Sequence, residues 1–249
     1  MCLLIAERGN CFYMRDLLDM HMHTIVSGHA YSTMREMFTA GKEKGLQLIG
    51  ITEHAPKMPG SCHTIYFHNF KVVRSGAYGI DTLMGSELNI MDYTGKVDLT
   101  DFTLKKLDYA IASLHDPCFR AGTREQNTAA VLGAMANPYV TIIGHPDNGR
   151  YPLDYEAIVK DAKKHHVLLE LNNSSYSPQS GRPGSRENAH TMLTLCKQYE
   201  VPVIMDSDAH IDLDVGNHIY AKEVLNEANF PEELVVNTDP EKFRAFLRK

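Results

Sequence analysis

The chain has 249 residues, 43% hydrophobic and 22% charged, a globular composition with enough apolar surface for a sizeable core. Its net charge of −6 leaves no basic stripe to neutralise a row of phosphates, which argues against nucleic-acid binding, and no apolar run approaches membrane-spanning length. Five scattered cysteines without Cys-x-x-Cys spacing suggest neither a disulfide framework nor a thiolate zinc site, and fit a reducing cytoplasm.

Residues 1–13 show no strand or helix period and read as a leader upstream of a start at Met14. An apolar run over 17–24 then predicts the first strand. Side chains alternate across a strand, so His21 and His23 should share a face with Asp19, with Met20 and Met22 on the other. Ser32 is placed to cap a helix that Gly45 ends. The next strand, 46–52, closes with Glu53-His54, and 56–79 is a long segment of the kind that often carries function. Strands follow over 81–90, with Glu87 near its end, and 107–114, which stops at His115. A helix over 123–136 precedes a fifth strand, 140–144, stopping at His145-Pro146. Helix 154–166, strand 167–173, a Gly/Pro/Ser-rich loop 174–185 and helix 186–200 lead to a seventh strand, 202–205, closed by Asp206-Ser207-Asp208-Ala209-His210. Helical segments over 218–228 and 239–249 complete the chain. His165, His166, His190 and His218 read as surface residues.

Seven strands alternating with helices, without a composition break, point to one α/β domain over 14–249, a distorted seven-stranded (β/α)7 TIM-like barrel. A doubly wound open sheet is the rival. The barrel is favoured because ligand-type residues end nearly every strand, and barrels collect active residues at the C-terminal ends of their strands.

Those residues are His21, His23, His29, His54, Glu87, His115, His145, Asp208 and His210. Imidazole and carboxylate without thiolate suit zinc, manganese or iron in a catalytic setting. Barrel closure brings strand seven beside strand one, so His21, His23 and Asp208 are expected at a first ion. His115 and His145 are expected at a second, with Glu87 bridging, and His29, His54 and His210 at a third. Asp19, Glu170, Asn172 and Asp206 lie where they can orient ligand imidazoles.

The pieces Asp19-Met-His-Met-His-Thr, His29-Ala-Tyr-Ser, Thr52-Glu-His-Ala-Pro, Gly85-Ser-Glu-Leu-Asn, Leu114-His-Asp-Pro, Gly144-His-Pro, Leu169-Glu-Leu-Asn-Asn-Ser-Ser and Asp206-Ser-Asp-Ala-His resemble the polymerase and histidinol phosphatase (PHP) family, most closely its YcdX-like phosphatases. The resemblance runs from about residue 16 to the end. It implies a distorted seven-stranded barrel, a trinuclear centre usually occupied by zinc, and phosphoester hydrolysis. The sequence departs from the family pattern in its leader and at Glu53, where Asp is common; neither is expected to touch a ligand.

The expected chemistry is in-line attack on a small-molecule phosphoester by hydroxide formed between two ions, which lower the pKa of a shared water toward ~7. Glu87, Asp208 and His210 are the catalytic candidates, and Lys71, Arg74, Arg182 and Arg186 are candidates for holding substrate. Homo-oligomerisation is left open. Three rivals remain: an amidohydrolase acting on an amide or lactone, a non-catalytic metal-binding PHP domain, and a DNA exonuclease, which would need a basic groove.

Overall fold

The computed structural model describes residues 14–247; the expected leader lies outside them. Seven parallel strands form one sheet in sequence order: β1 (Leu18–Asp19), β2 (Leu48–Ile51), β3 (Asp81–Asn89), β4 (Tyr109–Ser113), β5 (Ile142–Ile143), β6 (Leu168–Asn172) and β7 (Val203–Asp206). Around them run α1 (Met34–Glu43), α2 (Asp101–Leu104), α3 (Arg124–Met135), α4 (Tyr155–His165), α5 (Ser185–Tyr199), α6 (Ile219–Glu227) and α7 (Pro240–Arg244). Consecutive order and parallel pairing curl the sheet into a nearly closed barrel, so the open-sheet alternative falls.

Two apolar layers hold it. Leu18, Met20, Leu48, Tyr109, Ile111, Ile142, Leu168 and Ile204 fill the interior, with Phe243 and Phe246 from the C-terminal turn packed against them. A larger layer, including Met37, Phe38, Leu88, Ile158 and Met192, lies between sheet and helices. Along β6, Leu168 belongs to the interior layer, so strand alternation also turns Glu170 and Asn172 inward. The barrel is therefore apolar at one end of its strands and polar at the other. Tyr109 spans the interior and donates to the Met20 carbonyl at 2.6 Å. Gly50 makes room for it, since a Cβ there would lie 1.9 Å from the Tyr109 hydroxyl.

Between β7 and β1 side chains do what a ladder does elsewhere. The Met20 N–H donates to Asp206 Oδ1 at 2.7 Å and the Ser207 N–H to Asp19 Oδ1 at 3.1 Å. Asn237 donates to the carbonyls of Leu18 and Met205 at 3.0 and 2.8 Å and accepts the Met205 N–H at 2.8 Å. Further up, a parallel bridge joins Met22 to Ala209. This seam explains why β1 is shorter than the expected strand. It also breaks the expected alternation: Met20 packs in the interior layer, whereas Met22 joins the outer one. Asp19 and Asp206 face the seam and make no hydrogen bond to a candidate ligand imidazole.

Smaller differences have equally local causes. Thr33, not Ser32, caps α1 in a reciprocal box with Glu36, because the Ser32 hydroxyl donates to Asp212 at 2.9 Å. The 56–79 segment holds a 3-10 run, Thr64–Val72. The last helix is short, ending at Arg244 rather than continuing to the C-terminus. His218 is not a surface residue: it is buried beside Asp16 and Asp19.

Candidate metal centre

All nine candidate ligands converge at the C-terminal mouth of the barrel. Glu87, near the end of β3, is buried at their centre. Its Oε1 lies 3.0 Å from His115 Nε2 and 3.1 Å from His145 Nε2. Its Oε2 lies 2.8 Å from His54 Nδ1, 3.3 Å from His21 Nε2 and 3.4 Å from His23 Nε2. Asp208 Oδ1 approaches His21 and His23 at 3.6 and 3.4 Å. On the outer side, the Nε2 atoms of His210 and His29 are 3.0 Å apart, and the His210 and His23 rings stand 4.5 Å apart.

Three ligand groups have their atoms within 4.8 Å of one another: His21, His23 and Asp208; His54, Glu87 and His115; His23, His54 and His210. The first is the expected trio. In the second, His54 stands where His145 was expected, although His145 touches the same Glu87 oxygen as His115. In the third, His23 stands where His29 was expected.

The outer atoms of the rings are held by neighbours, which turns the inner nitrogens toward the centre. His21 Nδ1 lies 2.6 Å from Glu170 Oε1 and His115 Nδ1 2.8 Å from Asn89 Oδ1. His29 Nδ1 lies 3.1 Å from the Ser27 carbonyl, and His210 Nδ1 2.9 Å from that of Asp208. Glu170 also accepts the His145 N–H at 2.6 Å and the Asn172 amide at 3.1 Å. Asn172 in turn donates to Asp208 at 3.2 Å. Glu170 thus holds a ligand ring as the sequence suggested, Asn172 reaches Glu170 and Asp208 rather than an imidazole, and Asn89 and Ser27 were missed. His145 and Asp208 have φ of 31° and 56°, a left-handed backbone that costs non-glycine residues energy and concentrates at functional sites.

The donor set fits divalent cations. His21 Nε2, His23 Nε2 and His54 Nδ1 are buried without a hydrogen-bond partner, all on the side facing Glu87. Burial opposes charge on Glu87, yet His115, His21 and His54 hold its carboxyl well below the usual range. Burial likewise opposes ionisation of Asp208, and His21, His23 and Arg182 outweigh it. Burial and Arg182 push His145 down to about 4, and burial with His23 does the same to His210, leaving both neutral and able to offer lone pairs. His21 goes the other way: burial lowers it, but Glu170, Glu87 and Asp208 raise it well above the ordinary value. Carboxylates gathered round one imidazole create a demand for positive charge that a proton or a metal cation can meet.

Beside this cluster opens a cleft of about 540 Å3, lined by His29, His54, Glu87, His115, His145, Asp208 and His210 and by polar residues of the loops after β4, β5 and β6. Of the four cationic candidates only Arg182 lines it. Its guanidinium donates to Asp208 Oδ2 at 2.9 Å, Asn172 Oδ1 at 2.9 Å and Ser175 Oγ at 3.0 Å. Lys71 and Arg74 are exposed and outside the cleft lining, because their segment turns Phe67 and Phe70 inward instead. Arg186 pairs with Glu227 and Glu223 on the outer surface at 2.6 and 3.3 Å. Arg150, paired with Asp116, lines the cleft and was not foreseen.

The PHP domain profile matches residues 19–178. A protein of Clostridium novyi (strain NT) named a probable phosphatase is 46% identical over 235 residues, 94% of this chain and 96% of its own. Among solved structures, histidinol phosphate phosphatase from Lactococcus lactis subsp. lactis Il1403, complexed with zinc, L-histidinol and phosphate, covers 87% of this chain and 95% of its own at 18% identity and TM-score 0.59. A cryo-EM structure of archaeal ribonuclease P with mature tRNA contains a chain equally alike, TM-score 0.59 at 17% identity, with 92% and 90% covered. At these identities the solved structures share the fold and no more, whereas the profile and the relative decide the family. The chain belongs to the PHP domain family.

Proposed function

We propose that this protein is a metal-dependent phosphatase that hydrolyses a small-molecule phosphoester at a centre of three divalent ions, zinc foremost. The observation that carries the reading is Glu87, whose two oxygens face different sets of imidazoles: His115 and His145 on one side, His21, His23 and His54 on the other. That is the disposition of a bridging carboxylate. His21, His23 and Asp208 would hold one ion, His115 and His145 with Glu87 a second, and His29, His54 and His210 a third. Bound divalent ions would supply Lewis acidity, lowering the pKa of a coordinated water and shielding phosphoryl oxygens.

The chain's own groups do the rest. Arg182 anchors Asp208 and offers a half-buried positive edge to an anionic ester. Ser113 is buried outside the cleft lining and Ser207 is buried against the adjoining side pocket, and a metal-activated water needs no side-chain nucleophile. The cleft adjoins a side pocket of about 360 Å3 bearing Ser177, Gln179, Asp214 and Asn217, a volume suited to a small polar leaving group. The relative's name, probable phosphatase, supports the reaction class. Among the described residues no lysine lines the cleft, which disfavours an amidohydrolase bridged by carboxylated lysine.

Metal analysis of the purified protein with turnover of p-nitrophenyl phosphate tests the reading. Bound zinc and phosphate release that a chelator abolishes are expected. Metal-replete protein inert on phosphoesters but active on amides or lactones would replace it with the amidohydrolase reading.

A further inference from the structure

Glu53, the residue at which the chain departs from the family's common aspartate, is fully buried. Among the described residues it pairs with no lysine or arginine. Its oxygens are surrounded by donors instead: the Thr24 N–H at 3.1 Å, the Thr24 hydroxyl, and the Ser27 hydroxyl at 2.6 Å. Counting protons fixes the direction of this network. The Thr24 oxygen receives the Val26 N–H at 3.3 Å and the Ser27 oxygen the His54 N–H at 3.1 Å. Each hydroxyl therefore has its own proton left for the carboxylate. Ser27 Oγ, its single proton given to Glu53, can only accept from His23 Nδ1, which lies 3.1 Å away. A neutral His23 must then carry its proton on Nδ1 and turn the bare Nε2 toward Glu87 and Asp208.

We propose that Glu53 is a positioning residue: through Ser27 it locks His23 in the Nδ1–H tautomer and so keeps Nε2 available as a metal ligand. The inference rests on the metal-centre reading above. The longer side chain matters because one carboxylate reaches both Thr24 and Ser27, tying the loop after β1 to the end of β2. The same serine oxygen receives the His54 backbone, so two candidate ligands from two strands are set by one hydrogen-bonded group.

The test is Glu53→Met in the full-length chain, a change of similar length that removes the accepting oxygens, read two ways. Without Oε2, which takes both the Thr24 N–H and the Ser27 hydroxyl, the serine proton is free to point at His23 Nδ1 and favours the wrong tautomer. Burial lowers the His23 pKa but Asp208 and Glu87 outweigh it and raise it, so nitrogen-15 spectra of the metal-stripped protein are taken in alkali, where the ring is neutral. With His23 assigned by a His23→Gln variant, they are expected to show Nδ1–H in wild type and a shift toward Nε2–H in Glu53→Met. Zinc affinity, measured by competition with a chromophoric chelator, is expected to fall ~10–100-fold, the usual effect of losing an outer partner of a ligand histidine. Should Glu53→Met not fold, Ser27→Ala removes the accepting oxygen and is expected to give a mixed tautomer with weakened zinc binding. A folded variant in which His23 keeps the wild-type nitrogen pattern overturns the proposal, whether zinc affinity is unchanged or reduced. Neither readout uses a phosphoester, so the proposal and the phosphatase reading fail separately.

Discussion

Glu87 Oε2 sits 2.8 Å from His54 Nδ1, although the two residues come from different strand ends, joined there by a parallel bridge between β2 and β3. Glu87 is thus delivered into the middle of the imidazoles by the sheet itself. Glu87→Gln keeps the shape and removes the charge that five rings face. We expect kcat/KM for p-nitrophenyl phosphate to fall by more than ~100-fold, since losing an outer partner already costs 10–100-fold, with fewer zinc ions retained by metal analysis. Full turnover in the variant would remove Glu87 from the centre.

Stripping the metal should also loosen the fold, because imidazoles and carboxylates are crowded together with several nitrogens unpartnered. A ligand present at a thousand times its Kd stabilises by ~4 kcal/mol, which for a chain of this size is roughly 8–16 °C in Tm. Thermal unfolding with and without chelator should show a drop of that order, reversed by added zinc. An unchanged Tm would mean that the histidine cluster holds no ion under those conditions.

The strand ends were legible because most of the ligands close an apolar run, His29 in its polar connection excepted, and that local pattern survives without coordinates. What escaped was whatever depends on partners far along the chain. Ser27, Glu53 and Asn89 look like ordinary polar residues until the fold sets them behind His23 and His115. The alternation expected through Met22 failed because the first strand stops at Asp19, where carboxylate and amide side chains take over the seam. Arg182 could not be told from Lys71, Arg74 or Arg186 by sequence, since all four are cations on connecting segments and only packing decides which one faces the cleft.

That distinction is measurable. Arg182 donates charge-assisted hydrogen bonds to Asp208 and further bonds to Asn172 and Ser175, and bonds to charged groups contribute ~1.5–3 kcal/mol. Arg182→Lys, which keeps charge but loses the planar fork, should lower kcat/KM roughly 10–100-fold. Lys71→Ala and Arg74→Ala should leave it unchanged. Equal losses in all three variants would mean that the cleft extends over the 56–79 segment.

His218 supplies the pH test. Its Nδ1 lies 2.8 Å from Asp16, its Nε2 3.7 Å from Asp19, and Lys222 reaches Asp16 at 2.7 Å. Burial opposes protonation, but the two carboxylates prevail and raise His218 to about 10. A histidine whose folded pKa exceeds its unfolded value of ~6.5 binds the proton more tightly when folded. Its stabilisation is therefore complete below pH ~6.5 and lost as pH rises through about 10. Removing one partner of a buried ion pair costs ~3–5 kcal/mol. Urea unfolding should accordingly find His218→Gln less stable than wild type by that amount at pH 6, with the gap narrowing steadily toward pH 10. A gap that stays constant over this range would show that His218 acts by packing alone and that its charge does not help close the seam.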